Sequence, residues 1–246
     1  MDFEKVENFD NLEMSYISNL SGGFISKNTH IFDEIELNGL NKFILEKAVY
    51  GTPIFKLGDG QNKILILSGI HGNELPPQIA NIRLLNEFVD KKINVTLFFI
   101  PFAAPKATME NKRFFNTLDL NRAAHINDSL SNVIIQKIEE LGINFVGDFH
   151  STAYNSNPGV ESIFSTKSPT AESFLMANYI ARDLDCKIIS LESAGETYKG
   201  AVEDVCNLNG IPAITGEVLS PFASVAEGSV ERSLLQMKSF LDYLGI

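Results

Sequence analysis

Two short apolar runs, "KILILSG" at 63–69 and "NVTLFFI" at 94–100, most constrain what this chain can become. Each has the length of a strand and carries apolar residues at successive positions, so neither face of it can be left to water. Strands of that kind belong to a sheet covered on both sides. The segment between them, "PPQIANIRLLNEFVD", supplies such a cover, because Ile79, Ile82, Leu85 and Phe88 recur at helical spacing and Pro76 and Pro77 fit a first turn.

The alternation continues. A hairpin around Gly51 is expected from "FILEKAVY" and "TPIFKLG", and residues 106–128 form a long polar-basic connection. Helices are expected in "LSNVIIQKIEELG", "PTAESFLMANYIARDL", "AVEDVCNLNG" and "SVERSLLQMKSFLDYL", and strands in "INFVGDF", "ESIFS", "KIISLE" and "PAITGEV". Strands alternating with helices predict an α/β fold, a mainly parallel sheet between two helical layers. Residues 1–42 show no sustained period and are expected to pack on the domain as an N-terminal extension, with 43–246 as the single domain that carries the chain's chemistry.

A hydrophobic share of 44% suits a packed soluble core, and 246 residues suffice for one large α/β domain. Twenty basic against thirty-one acidic side chains leave a net charge of −11, which repels nucleic acid and anionic lipid. The N-terminus has no signal-peptide pattern and no apolar run approaches the ~20 residues of a membrane span, so a cytoplasmic location and no membrane partner are expected. Cys186 and Cys206 lie in apolar segments outside any C-x-x-C pair and read as free thiols.

In open α/β sheets, ligands bind beyond the carboxyl ends of the strands. His71 follows "KILILSGI", His150 follows "INFVGDF" and Glu217 falls near the end of "PAITGEV", so all three reach one rim, and Glu74 stands at the start of the helix after His71. Two imidazoles and a carboxylate are the protein ligands of a catalytic zinc with one open position. His71, Glu74 and His150 fit that role. Glu217, a carboxylate in an otherwise apolar strand, fits the general acid/base. In the connection "KRFFNTLDLNR", Asn121 and Arg122 suit a forked grip on a substrate carboxylate, and Arg113 suits a developing oxyanion. Asp119 suits the free ring N–H of a ligating histidine, and Asp148 is a second candidate for that work. His30 and His125 read as ordinary structural histidines.

His-Gly-Asn-Glu after a strand, Asp-Leu-Asn-Arg, Asp-Phe-His at a strand end and "TGEVLSP" together resemble the zinc carboxypeptidase superfamily, most of all its succinylglutamate desuccinylase and aspartoacylase branch. The resemblance runs from about residue 50 to the C-terminus. It implies a three-layer α/β/α sandwich with a mixed sheet of about eight strands. It also implies one zinc ion on His71, Glu74 and His150, Glu217 as acid/base, Arg113 polarising the carbonyl, Asn121 and Arg122 as carboxylate site and Asp119 behind His71. Tyr198, in "GETYKG", lies where carboxypeptidases carry a substrate-contacting tyrosine. The implied reaction is hydrolysis of an amide bond in an N-acyl amino acid or similar small carboxylate. A metallocarboxypeptidase or cell-wall peptide hydrolase shares the chemistry, and a non-catalytic carboxylate-binding protein is the rival from another class.

Overall fold

The computed structural model describes residues 1–246. The apolar runs form the middle of one nine-stranded sheet, whose spatial order is β1-β2-β3-β5-β4-β6-β9-β7-β8. These strands are β1 (Glu4–Lys5), β2 (Leu12–Ser18), β3 (Thr52–Leu57), β4 (Lys63–Ser68), β5 (Thr96–Ile100), β6 (Phe145–Thr152), β7 (Ser162–Ser168), β8 (Lys187–Ser193) and β9 (Ala213–Leu219). Strands β5, β4, β6 and β9 run parallel to their neighbours in that order, while β1, β2 and β3 extend the sheet with antiparallel pairs and β7 joins β9 antiparallel. The sheet is therefore mixed with a parallel centre. It has nine strands where about eight were expected, because residues 1–42 supply β1 and β2 while the segment "FILEKAVY" supplies none.

The helices are α1 (Thr29–Phe32), α2 (Gly39–Ala48), α3 (Leu75–Phe88), α4 (Pro105–Met109), α5 (Leu130–Leu141), α6 (Ala171–Asp183), α7 (Val202–Leu208) and α8 (Ser229–Tyr243). Alternation along each strand sends side chains to opposite faces, and two separate apolar clusters result. One unites Ile44 of α2, Ile79 of α3, Ile180 of α6 and Phe240 of α8 with Phe149; the other unites Ile134 of α5, Val205 of α7 and Ala107 of α4 with Val146. This is the three-layer sandwich expected. No helix is long and apolar enough to cross a membrane.

The segment read as the first strand of a hairpin is instead helical. "FILEKAVY" is the end of α2, whose buried Leu40, Ile44 and Ala48 recur every four residues, and Asn38 Oδ1 caps it by accepting from the Asn41 N–H at 2.8 Å. Reading from Phe43 hid the cap and half of the period. The partners of β3 are thus β2 and β5. The long connection after β5 also contains α4 and a 3-10 turn at Leu120–Arg122.

The central strands are tightly underpinned. Phe149 of β6 meets the fully buried Phe240 of α8 edge-on, with ring centroids 6.2 Å apart. Gly147 and Gly216 make room for the Phe149 ring, since a Cβ on either would stand 2.6 or 2.8 Å from it. Phe240→Ala removes a packed ring from this layer and is expected to cost about 3–5 kcal/mol, read as a shift of the urea midpoint without a change in slope.

Candidate metal centre and its cleft

The turn that leaves β4 is held in place by close approach rather than by length. Gly69 takes a left-handed φ of +76°, and at Gly72 a Cβ would stand 2.1 Å from the Ala107 carbonyl carbon, so only glycine lets this turn press on α4. The buried amide of Gln78 clamps it, donating to the Glu74 carbonyl at 2.8 Å and accepting from the Thr108 hydroxyl at 2.8 Å. His71 and Glu74 leave that turn on the same side. Pro76 and Pro77 sit in the first turn of α3, where no intrahelical N–H donor is required.

His150 arrives from the neighbouring strand β6, and the three side chains converge with their ligand atoms within 4.8 Å of one another. The Nδ1 atoms of His71 and His150 each lie 2.8 Å from one oxygen of Glu74. His71 Nε2 lies 2.9 Å from Asp119 Oδ1, which places the ring proton on that outer nitrogen and turns the Nδ1 lone pair toward Glu74. Lone pairs facing a carboxylate repel unless a cation stands between them. A buried two-His, one-Glu set with both Nδ1 atoms turned toward the carboxylate therefore fits a divalent ion.

The charges around the set are strongly coupled. Burial alone would raise the Glu74 carboxyl, yet His71 and His150 hold it well below the usual carboxylate range. Burial would lower His150, but Asp148 and Glu74 raise it well above an ordinary imidazole. Asp119 is opposed by its own burial and still lies well below its usual value, because His71 and Arg113 both favour its anion. Arg113 closes the ring, donating to Asp119 Oδ2 from Nε at 3.2 Å and from Nη2 at 3.1 Å, and to Glu74 Oε1 from Nη1 at 3.3 Å. Asp148 is fully buried with its Oδ2 at 3.0 Å from His150 Nε2, at an angle too poor for a hydrogen bond, which leaves both its oxygens unpartnered.

Glu217 stands beside His150, since the two residues are register partners in the parallel pair β6–β9. Burial pushes its carboxyl up to about 8, with Glu74 adding to the rise and His150 opposing it. It lines an open cleft of about 550 Å³, including the solvent at its mouth, together with His71, Glu74, Arg113, Asn121, Arg122 and Tyr198.

On the far side of the cleft, the backbone N–H of Val202 donates to Asn121 Oδ1 at 3.2 Å, which commits that oxygen and leaves the amide NH₂ of Asn121 to face a ligand. Arg122 lies with its guanidinium carbon 5.3 Å from the centre of the Tyr198 ring, and Tyr198 meets Phe164 edge-on at 5.3 Å. All ten side chains singled out in the sequence thus fall in or directly behind one site. His30 and His125 do not join it. Three contributors went unseen: Gln78, Phe164 and Glu203, which also lines the cleft. Gln78 and Glu203 sit at positions of α3 and α7 that sequence period alone assigns to a helix without saying which polar side chain is buried.

Residues 60–244 match the family model described as "Succinylglutamate desuccinylase/Aspartoacylase catalytic domain". No curated protein matches the chain. Among solved structures, an aspartoacylase family protein from Mesorhizobium loti is 21% identical, with a TM-score of 0.59, over 79% of this chain and 62% of that one. A succinylglutamate desuccinylase from a Silicibacter species is 17% identical, with a TM-score of 0.63, over 81% of this chain and 63% of its own. A metallo-carboxypeptidase from Burkholderia cenocepacia is 12% identical, with a TM-score of 0.60, over 79% and 61%. At these identities the likeness is one of fold, and the chain spans a little over three fifths of the length of each relative.

Proposed function

Because the chain belongs to the succinylglutamate desuccinylase/aspartoacylase catalytic-domain family, we propose that it is a zinc-dependent hydrolase that cleaves the amide bond of an N-acyl amino acid. The observation that carries this reading is the convergence of His71, Glu74 and His150, with Glu217 alongside. A zinc ion held by those three residues would lower the pKa of water to about 7 and polarise the scissile carbonyl.

The protein's own groups then divide the remaining work. Glu217 takes the proton of the attacking water and returns it to the leaving amine. Its buried place beside His150, with burial and the neighbouring Glu74 both favouring the protonated form, suits a group that must hold a proton and hand it on. Arg113, held between Asp119 and Glu74, presents a fixed positive charge to the oxygen on which charge develops. Arg122 and the free NH₂ of Asn121 anchor the substrate carboxylate, with Tyr198 stacked on the guanidinium.

Asp119 fixes the ring of His71 by accepting from its outer nitrogen at 2.9 Å. Asp119→Asn is expected to weaken zinc binding by about 10- to 100-fold, measured by competition with a chromophoric chelator. Metal analysis of the purified protein, followed by assay of N-acyl amino acids beside blocked dipeptides, tests the function itself. Cleavage of N-acyl amino acids is the expected result. Activity confined to the dipeptides would replace the deacylase reading with a carboxypeptidase or cell-wall peptide hydrolase.

A further inference from the structure

Glu217 stands where support from one neighbouring strand runs out. β9 pairs with β7 at Thr215–Phe164, Gly216–Ile163 and Glu217–Ser162, so Glu217 occupies the outermost of these pairs. Beyond it β9 continues to Leu219 beside β6 alone, while the residues that precede β7 leave the sheet as an irregular segment.

A buried amide ties the two strands together at that last pair. Gln236, on α8 and fully buried, donates from Nε2 to the Glu217 carbonyl at 3.2 Å and to Glu161 Oε1 at 3.3 Å. Glu161 directly precedes Ser162, so the two hydrogens of one NH₂ group reach both sides of the fork. The far end is anchored in turn. Arg232, one helical turn before Gln236, donates from Nε to Oε1 of Glu161 at 3.0 Å and to Oε2 at 3.1 Å, and from Nη2 to Oε1 at 2.7 Å. The same Nη2 reaches the Leu184 carbonyl at the end of α6 at 2.9 Å.

Packing alone argues against an amide here. Its Oε1 is buried without a partner, and it fits only because residue 216 is glycine, on which a Cβ would stand 2.6 Å from that oxygen. Methionine, of similar length, would fill the space without an orphaned polar atom. What the amide adds is a pair of directed bonds, one of them to the backbone of the residue that carries the acid/base group.

We propose that Gln236 is a positioning residue for Glu217: its bond to the Glu217 carbonyl fixes the direction in which that side chain enters the cleft, and the Glu161–Arg232 pair holds the amide in place. The effect on rate rests on the hydrolase reading, whereas the effect on geometry does not.

The test compares the zinc-loaded wild type with Gln236→Met, which keeps the length of the side chain and deletes both donors. Rates are expressed per bound zinc, so misfolded molecules do not count. A reacting group misplaced by about 1 Å can cost about 10²-fold, so kcat is expected to fall about 10- to 100-fold, with KM and zinc content little changed. The substrate is whichever N-acyl amino acid or blocked dipeptide the wild type cleaves. Met237→Ala removes another fully buried side chain from the same helix and serves as the packing control, expected to lower the melting temperature while leaving kcat per bound zinc at the wild-type value.

A wild-type kcat in Gln236→Met, or an equal loss of kcat in Met237→Ala, overturns the assignment. Should Gln236→Met fail to fold, Glu161→Ala removes the far end of the tie at a partly exposed site and is expected to lower kcat in the same way; an unchanged kcat there overturns the assignment too. Crystals of the zinc-loaded variant read the geometry without turnover. The Glu217 carboxyl is expected to move by more than about 0.5 Å from its wild-type place, and an unmoved carboxyl overturns the assignment. If it moves while the wild type cleaves no amide, the hydrolase reading fails and the positioning role stands.

Discussion

Glu217→Gln is expected to retain its zinc and to lose hydrolysis of N-acyl amino acids by about 10²- to 10⁴-fold, the usual contribution of a positioned acid/base group. Glutamine keeps the size and hydrogen-bonding capacity of the side chain but neither takes up nor delivers a proton. The loss therefore falls on kcat, with KM little changed. Zinc content distinguishes this outcome from collapse of the site, since Glu217 is not in the group of three that converges on the ion position. A variant as active as the wild type would remove Glu217 from the mechanism, and a wild type that binds carboxylates without cleaving any amide would leave a sensor in place of an enzyme.

His150→Ala has the opposite signature. It removes one of three ligands and leaves Glu74 buried without one of the two imidazoles that now stabilise its charge. Zinc is expected to be absent after dialysis and hydrolysis to fall to background. Thermal denaturation supplies a second readout, because a ligand at about 1,000 times its Kd stabilises the folded state by about 4 kcal/mol. The wild type should show such an increase on zinc addition and His150→Ala none. An unaltered zinc content in His150→Ala would break the metal assignment.

The parts of this molecule that could be read from its sequence are those where one chemical constraint fixes both residue type and place. "KILILSG" had to be a covered strand, and a histidine and a glutamate three residues apart after it had to lie at the sheet's rim, which is where the structure puts His71 and Glu74. His150 and Glu217 followed from the same rule applied to β6 and β9. Edge elements were harder. β2 alternates between buried and partly exposed positions, and β1 is two residues long, so neither carries the apolar run that marked β4 and β5. The α2 helix starts at a glycine behind an asparagine cap, a weak opening that left its apolar end open to two readings.

Within the site, the groups hidden from sequence are those whose role depends on long-range contacts. Gln78 touches the carbonyl of Glu74 and the hydroxyl of Thr108, thirty residues further along the chain. Phe164 enters the site only through the ring of Tyr198, which it meets edge-on. Glu203 is one of two adjacent acids, and only the structure separates them: Asp204 is spent on the N–H groups of Gly195 and Gly200, whereas Glu203 meets the cleft.

The alignment of β6 with β9 carries a practical consequence for handling the protein. Since side chains alternate between faces, a slip of one residue between these two strands would turn Glu217 to the opposite face from His150. A mispaired population would hold its ordinary secondary structure and still be unable to complete the centre. Activity per bound metal ion would then serve as a titration of correctly assembled molecules in any refolded batch, since the three converging side chains do not include Glu217.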